Sequence, residues 1–183
     1  MNVAIIPARG GSTRIKNKNT RLFHGKPILA YSIETAKMSG CFDRIIVSSD
    51  DARTLEIAAE YGAKLHRRDP AFARNEVGTQ EVTKNVLQWW TASNARGPGP
   101  EFACCIYATA PTMTAVDLRI GYNVMRERED YGYIHGWFYF GRTAWFLEGR
   151  RLGEEMPRPA HWIDINYEED WKRAEEMRAA LLP

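Results

Sequence analysis

A chain of 183 residues with 44% apolar and 26% charged side chains has the composition of a single globular domain, which excludes a collagenous, fibrous or disordered polymer. Its 25 basic residues against 23 acidic ones leave a net charge of only +2, and this excludes a protein built to coat nucleic acid. No apolar run reaches the ~18 residues of a membrane span, the opening Met-Asn-Val-Ala-Ile-Ile-Pro lacks the marks of a secretory signal, and Cys41, Cys104 and Cys105 show no CxxC spacing. A cytoplasmic protein with buried, reduced cysteines and neither a nucleic-acid nor a membrane partner is therefore expected.

In chain order, Val3 to Ile6 is a β-branched run that predicts a buried first strand, followed by a long glycine-containing loop. Pro27 stands where a helix begins, Ile28, Leu29, Ile33 and Ala36 make one apolar face, and Gly40 is placed to stop it. Arg44 to Asp50 repeats the strand signal. Asp50 or Asp51 then caps a helix carrying Leu55, Ala58 and Ala59, which ends at Gly62. A short strand near Ala63 to His66 leads to an irregular stretch. Thr79 is placed to cap a helix whose Val82, Val86, Leu87 and Trp90 share a face, and Gly97-Pro-Gly-Pro100 breaks the chain. Phe102 to Tyr107 is the next buried strand, and Thr114-x-x-Asp117 has the form of a capping box opening a helix to about Arg128. From Tyr131 to Phe146 eight of sixteen residues are aromatic, which reads first as core and second as a dimer interface or a sugar-stacking wall. A short strand at His161 to Ile163 and a last helix from about Tyr167, with Trp171, Ala174, Met177 and Leu181 in one stripe, complete the pattern.

Strands alternating with helices of this length predict an α/β fold, three-layer and doubly wound around a mainly parallel sheet. In such a sheet the ligand lies outside the carboxyl ends of the strands. Four loops should converge there: Pro7 to Lys26, Ser48 to Asp51, Tyr107 to Thr114, and Asp164 to Asn166. The first carries Arg9, Arg14, Lys16, Lys18, Arg21, Lys26 and His24, and the first carboxylate of the chain is Glu34. Gly10 and Gly11 free its backbone to approach a ligand and its cations can grip phosphate oxygens, although neither a P-loop nor a Gly-x-Gly-x-x-Gly pattern is present.

The string Pro7-Ala-Arg-Gly-Gly-Ser-Thr-Arg-Ile-Lys-Asn-Lys-Asn19, with Lys26-Pro-Ile-Leu-Ala-Tyr-Ser behind it and Phe42-Asp-Arg-Ile-Ile-Val-Ser-Ser-Asp-Asp51 after it, resembles the cytidylyltransferases that make CMP-activated acid sugars. Tyr107-Ala-Thr-Ala-Pro111 is most similar to the pseudaminic acid branch, and Asp164-Ile-Asn-Tyr-Glu-Glu-Asp-Trp171 also matches. The resemblance implies the Rossmann-like fold of nucleotide-diphospho-sugar transferases across residues 1–183, Mg²⁺ as cofactor, CTP and an acid sugar as partners, and a homodimer. It implies triphosphate contacts for Arg9 and Lys18, and cytidine contacts for Asn19 with Ala8, Gly10, Gly11 and Ser12. Thr79 stands where a nucleotide-contacting hydroxyl is found, Tyr107 where a sugar-facing glutamine is found in the sialic acid branch, and Asp164 and Asn166 at the magnesium positions. Plainer rivals stand beside these: solvated cations for Arg9 and Lys18, a helix cap for Thr79, for Asn166 (with Glu169) and for Asp50 (otherwise a ribose or metal ligand), and a core aromatic for Tyr107.

The chain departs from the family at Thr13, where a lysine is usual, and at Asn166, where a second aspartate is usual. A block that in the family precedes the Phe138-to-Trp145 segment is also missing. These departures keep two alternatives open: a nucleotide-binding protein without transferase activity, and a nucleotidyltransferase for a smaller acceptor.

Overall fold

The computed structural model describes residues 1–94, 99–127, 133–150, 153 and 156–180. Strand β1 (Asn2–Pro7) leads through two short paired strands, β2 (Leu22–Phe23) and β3 (Lys26–Pro27), into helix α1 (Ile28–Ser39). The chain continues through β4 (Arg44–Ser49), α2 (Ala52–Glu60), β5 (Lys64–Arg67), α3 (Thr79–Ser93), β6 (Phe102–Ile106) and α4 (Ala115–Glu127). It ends with β7 (Tyr133–His135), β8 (Phe138–Arg142), α5 (Thr143–Glu148) and α6 (Glu168–Ala180).

The main sheet has the order β5-β4-β1-β6-β8-β7. β5, β4, β1 and β6 run parallel, whereas β8 is antiparallel to both β6 and β7. The apolar runs predicted as strands are buried because both faces of the sheet are covered. On one face Ala4, Ile6, Val47, Cys104, Ile106, Phe138 and Phe140 pack with side chains of α1, α2 and α4. On the other Val3, Ile5, Ile46, Ala103, Cys105 and Tyr139 pack with α3 and α5. The strand period of two distributes alternate side chains between the two cores and makes the three layers. The aromatic segment is core, as its first reading has it: Trp137, Phe138, Tyr139, Phe140, Trp145 and Phe146 are buried. All three cysteines are buried and unpaired.

Local signals hold in most places. Asp51 is the cap of α2, its side chain accepting from the Thr54 amide at 2.7 Å. Thr114 and Asp117 form the reciprocal box, with the Thr114 amide donating to Asp117 at 2.7 Å and the Asp117 amide to the Thr114 hydroxyl at 3.3 Å. Gly40 ends α1 at φ 68°, the left-handed region that glycine occupies without strain. Pro27 lies one residue before α1 and pairs with Leu22 instead.

Four expectations are corrected. Residues His161 to Ile163 form a turn and loop, because the Trp162 amide bonds to Pro159 and the Ile163 carbonyl accepts from the Trp137 indole at 3.1 Å, so neither joins a ladder. Gly78 is the N-cap of α3 and makes no side-chain bond, which leaves Thr79 as the first helical residue. Ala59 is exposed on α2, where Ile57 takes the buried place. At the start of α6 it is Asp170, not Glu169, that completes the cap, accepting from the Asn166 and Tyr167 amides at 2.9 Å each. Trp171 and Ala174 of the predicted α6 stripe are buried and Met177 half-buried. Leu181, Gly97, Arg128 and Tyr131 lie outside the described residues. Among those described, no helix is long and apolar enough to cross a membrane.

Candidate active site

After β1 the chain turns to β4 on one side and reaches β6 on the other, so the strand order reverses between β1 and β6. Their carboxyl ends diverge there into a cleft of about 320 Å³. Its walls include Arg9, Ser12, Lys18 and Asn19 from the loop after β1, Tyr107 from the end of β6, Thr79 from the start of α3, and Asp164. Residues 155 positions apart in sequence thus share one wall: parallel β1 and β6 deliver their following loops to the same side, and Asp164 joins them from a segment between α5 and α6 that continues no strand. Pro7, Thr13, Arg14, Ala108 and Thr109 complete it. A wider groove of about 600 Å³ opens at the amino-terminal ends of β4 and β5 beside Lys37, Arg44 and Lys64, and holds none of the predicted residues.

Lys18 is held by a bond from its ammonium to the Ile165 carbonyl at 2.6 Å. Burial lowers its pKa, the Asp164 carboxylate opposes that shift, and Arg14 and Arg9 reinforce it. Arg9 donates to the Asn75 side chain. The Asn19 amide donates to the Arg9 carbonyl at 2.8 Å, fixing the turn between the two cations. Thr79 has its hydroxyl engaged by the Tyr139 phenol at 2.9 Å. Tyr107 is 37% exposed, which sets aside its reading as a core aromatic; burial raises its pKa, and the phenol acts as a neutral hydrogen-bonding group.

Four predicted residues stand outside the cleft wall. Ala8 is buried and its amide bonds to the Ser48 carbonyl at 2.9 Å, so its part is to seat the loop on β4. Gly10 faces α2 instead, its amide donating to Asp50 at 3.0 Å. A Cβ there would stand 2.7 Å from that of Asp51, a close approach only glycine permits. Gly11 is exposed with open space around it. Asn166 lies behind Asp164, its side-chain amide donating to Asp164 at 2.6 Å.

Arg68 and Tyr139 were not among the sequence candidates. Arg68 is 4% exposed and donates to the Ser48 hydroxyl at 3.1 Å and the Ser48 carbonyl at 2.6 Å, the carbonyl that also receives Ala8. Burial pulls its pKa down to about 10 against the opposing Asp50. In sequence it sits in His66-Arg-Arg-Asp69, which reads as a solvated charge run. Tyr139 stands in an aromatic run that gives it no signal of its own.

Among the described residues no three His, Cys, Asp or Glu side chains gather as a ready-made metal cage. The one carboxylate among them that lines the cleft, Asp164, exposed beside the basic loop after β1, fits a hard cation that takes most of its oxygen shell from a bound ligand and water.

The sequence matches the family model described as "Cytidylyltransferase" over residues 3–130. The pseudaminic acid cytidylyltransferase of Campylobacter jejuni subsp. jejuni serotype O:2 is 41% identical over 122 residues, covering 66% of this chain and 51% of the relative. The N-acylneuraminate cytidylyltransferase of Escherichia coli O18:K1:H7 is 39% identical over 89 residues, 49% of this chain and 21% of the relative. The chain spans about half the length of the Campylobacter relative. In fold it is similar to a CMP:2-keto-3-deoxy-manno-octonic acid synthetase complexed with CTP, at a TM-score of 0.77 and 15% identity over 99% of each chain. With a match that runs from β1 through α4, this chain belongs to the cytidylyltransferase family.

Proposed function

We propose that the protein transfers CMP from CTP to the anomeric hydroxyl of an acid sugar of the nonulosonic type, releasing pyrophosphate. The observation that carries the reading is the meeting of Arg9, Lys18 and Asp164 at the β1–β6 switch point, on a chain of this family. The sugar hydroxyl oxygen bonds to the α-phosphorus, the bond to the bridging α–β oxygen breaks, and the hydroxyl proton passes to solvent. Such an in-line displacement needs positioned phosphates and neutralised charge rather than a protein nucleophile. Arg9 and Lys18 hold the triphosphate and stabilise the charge that develops on pyrophosphate. Asn19 and Ser12 seat the cytidine, with Thr79 beside it, and Tyr107 faces the acceptor. Asp164, with Asn166 beside it, would hold a magnesium ion arriving with CTP, which supplies further neutralisation of phosphate charge. The single-domain organisation, a homodimer and a cytoplasmic location belong to the same proposal.

Melting the purified protein with CTP, UTP, ATP or GTP, each with and without Mg²⁺, tests it. A ligand at 100 times its dissociation constant adds about 2.7 kcal/mol, which raises the midpoint of a chain this size by roughly 5–10 °C. A shift for CTP that grows with Mg²⁺ is expected, and pyrophosphate release with acid sugars should follow. No shift with any nucleotide removes the proposal.

The Asn166 bond to Asp164 favours a second reading, nucleotide binding without transfer, because one Asp164 oxygen is already satisfied by a neutral donor. Asn166→Asp separates the two. A weakened enzyme should gain Mg²⁺-dependent turnover several-fold, since a second carboxylate binds a hard cation better; a binding module gains none.

A further inference from the structure

We propose that Trp171 is a positioning residue of this site, holding the loop that carries Lys18 and the segment that carries Asp164 at a fixed separation. The proposal rests on the functional reading above. Its basis is a third cluster of buried side chains, separate from the two that sandwich the sheet. Ile15 and Phe23 enter it from the loop after β1, Ile163 and Ile165 from either side of Asp164, and Trp171 from α6.

Trp171 is 1% exposed and stands edge-on to Phe23 with ring centroids 5.5 Å apart. Its indole N–H donates to Glu175 at 3.1 Å, so the buried ring leaves no polar atom unsatisfied. From outside, the Arg21 guanidinium lies 4.3 Å over the ring and donates to both oxygens of Glu168, at 2.6 and 2.8 Å. An ion pair this exposed contributes little by itself. The holding force is the burial of the indole between two segments that no strand pairing joins, since β2 and β3 pair only with each other and residues 161–167 belong to no strand. The consequence reaches the cleft directly: Lys18 donates to the carbonyl of Ile165, the residue that follows Asp164 and packs in the Trp171 cluster. Moving the ring moves the cation and the carboxylate apart.

Amide hydrogen exchange on the full chain, without nucleotide, tests this in Trp171→Leu and Trp171→Phe. In Trp171→Leu, exchange in residues 14–23 and 163–167 should rise at least tenfold with β1, β4 and β6 unchanged, and Trp171→Phe should recover most of the protection. In CTP turnover, Trp171→Leu should raise KM for CTP and lower kcat together, each about tenfold, with Phe again restoring both. A uniform rise in exchange across the sheet, or no local rise, overturns the proposal, because Trp171 would then serve global stability alone. Should Trp171→Leu not fold, Ile15→Ala withdraws a buried side chain of the same cluster on the Lys18 side and leaves the indole in place. The same local rise is expected there, and unchanged exchange overturns the proposal. If the parent protein releases no pyrophosphate, the functional reading fails, while the exchange data still decide for or against Trp171.

Discussion

Replacing Lys18 with Ala should lower CTP-dependent pyrophosphate release roughly 100- to 1,000-fold, the loss typical when one preorganised group facing developing charge is removed. The size of the effect follows from where the ammonium sits. It is largely shielded from water at the cleft wall, where a charge acts through a lower effective dielectric than at the surface. Retained turnover within a few-fold of the parent would remove Lys18 from the chemistry. The same burial gives a pH signature. Its pKa lies below the ordinary lysine value of 10.5, so the ammonium is present at neutral pH and lost on the alkaline side earlier than a solvated lysine would lose it. The profile of kcat/KM should therefore fall at a pH below 10.5. Lys18→Arg keeps a charge that does not titrate in that range, and whatever activity it retains should lack that alkaline limb.

The largest stability effect is expected at Phe140. Its ring is fully buried, stacks on Phe42 at 5.6 Å and 10°, and meets Phe138 edge-on at 5.5 Å. On β8 it pairs with Cys104, so its loss opens a cavity at the junction of the parallel and antiparallel parts of the sheet. Phe140→Ala should cost about 3–5 kcal/mol and lower the melting midpoint by roughly 10 °C or more. Val116→Ala, at a position 53% exposed, is the matched control and should stay within about 0.5 kcal/mol of the parent. A Phe140 variant that melts with its control would show that the segment relaxes around the void.

The parallel half of the fold was legible because its signals are local. Runs such as Ile45-Ile-Val47 are apolar on both faces only when both faces are covered, and Asp51 and Thr114 announce their helices by hydrogen bonds that close within three residues. From that topology the convergence of the Lys18 and Tyr107 loops follows without further information, whereas Asp164 reaches the cleft in a segment that continues no strand. The antiparallel edge was not legible. The run Trp137 to Phe140 shows no period, since all four side chains are buried whichever way the strand runs. Arg68 escaped because a guanidinium in a charged run gives no sign that its partners are the oxygens of Ser48, twenty residues away. Thr79 carried the right residue type for a cap, but its hydroxyl is claimed by Tyr139, a contact across 60 residues that no short window contains.

The bond from Lys18 to the Ile165 carbonyl spans 147 residues, and this sets an order of events during synthesis. A nascent chain that has emerged as far as β6 can pair its four parallel strands and bury much of both cores. Lys18 then still waits for a partner that the ribosome has not yet translated. The cleft wall that Lys18 shares with Asp164 is thus completed late, after the scaffold beneath it.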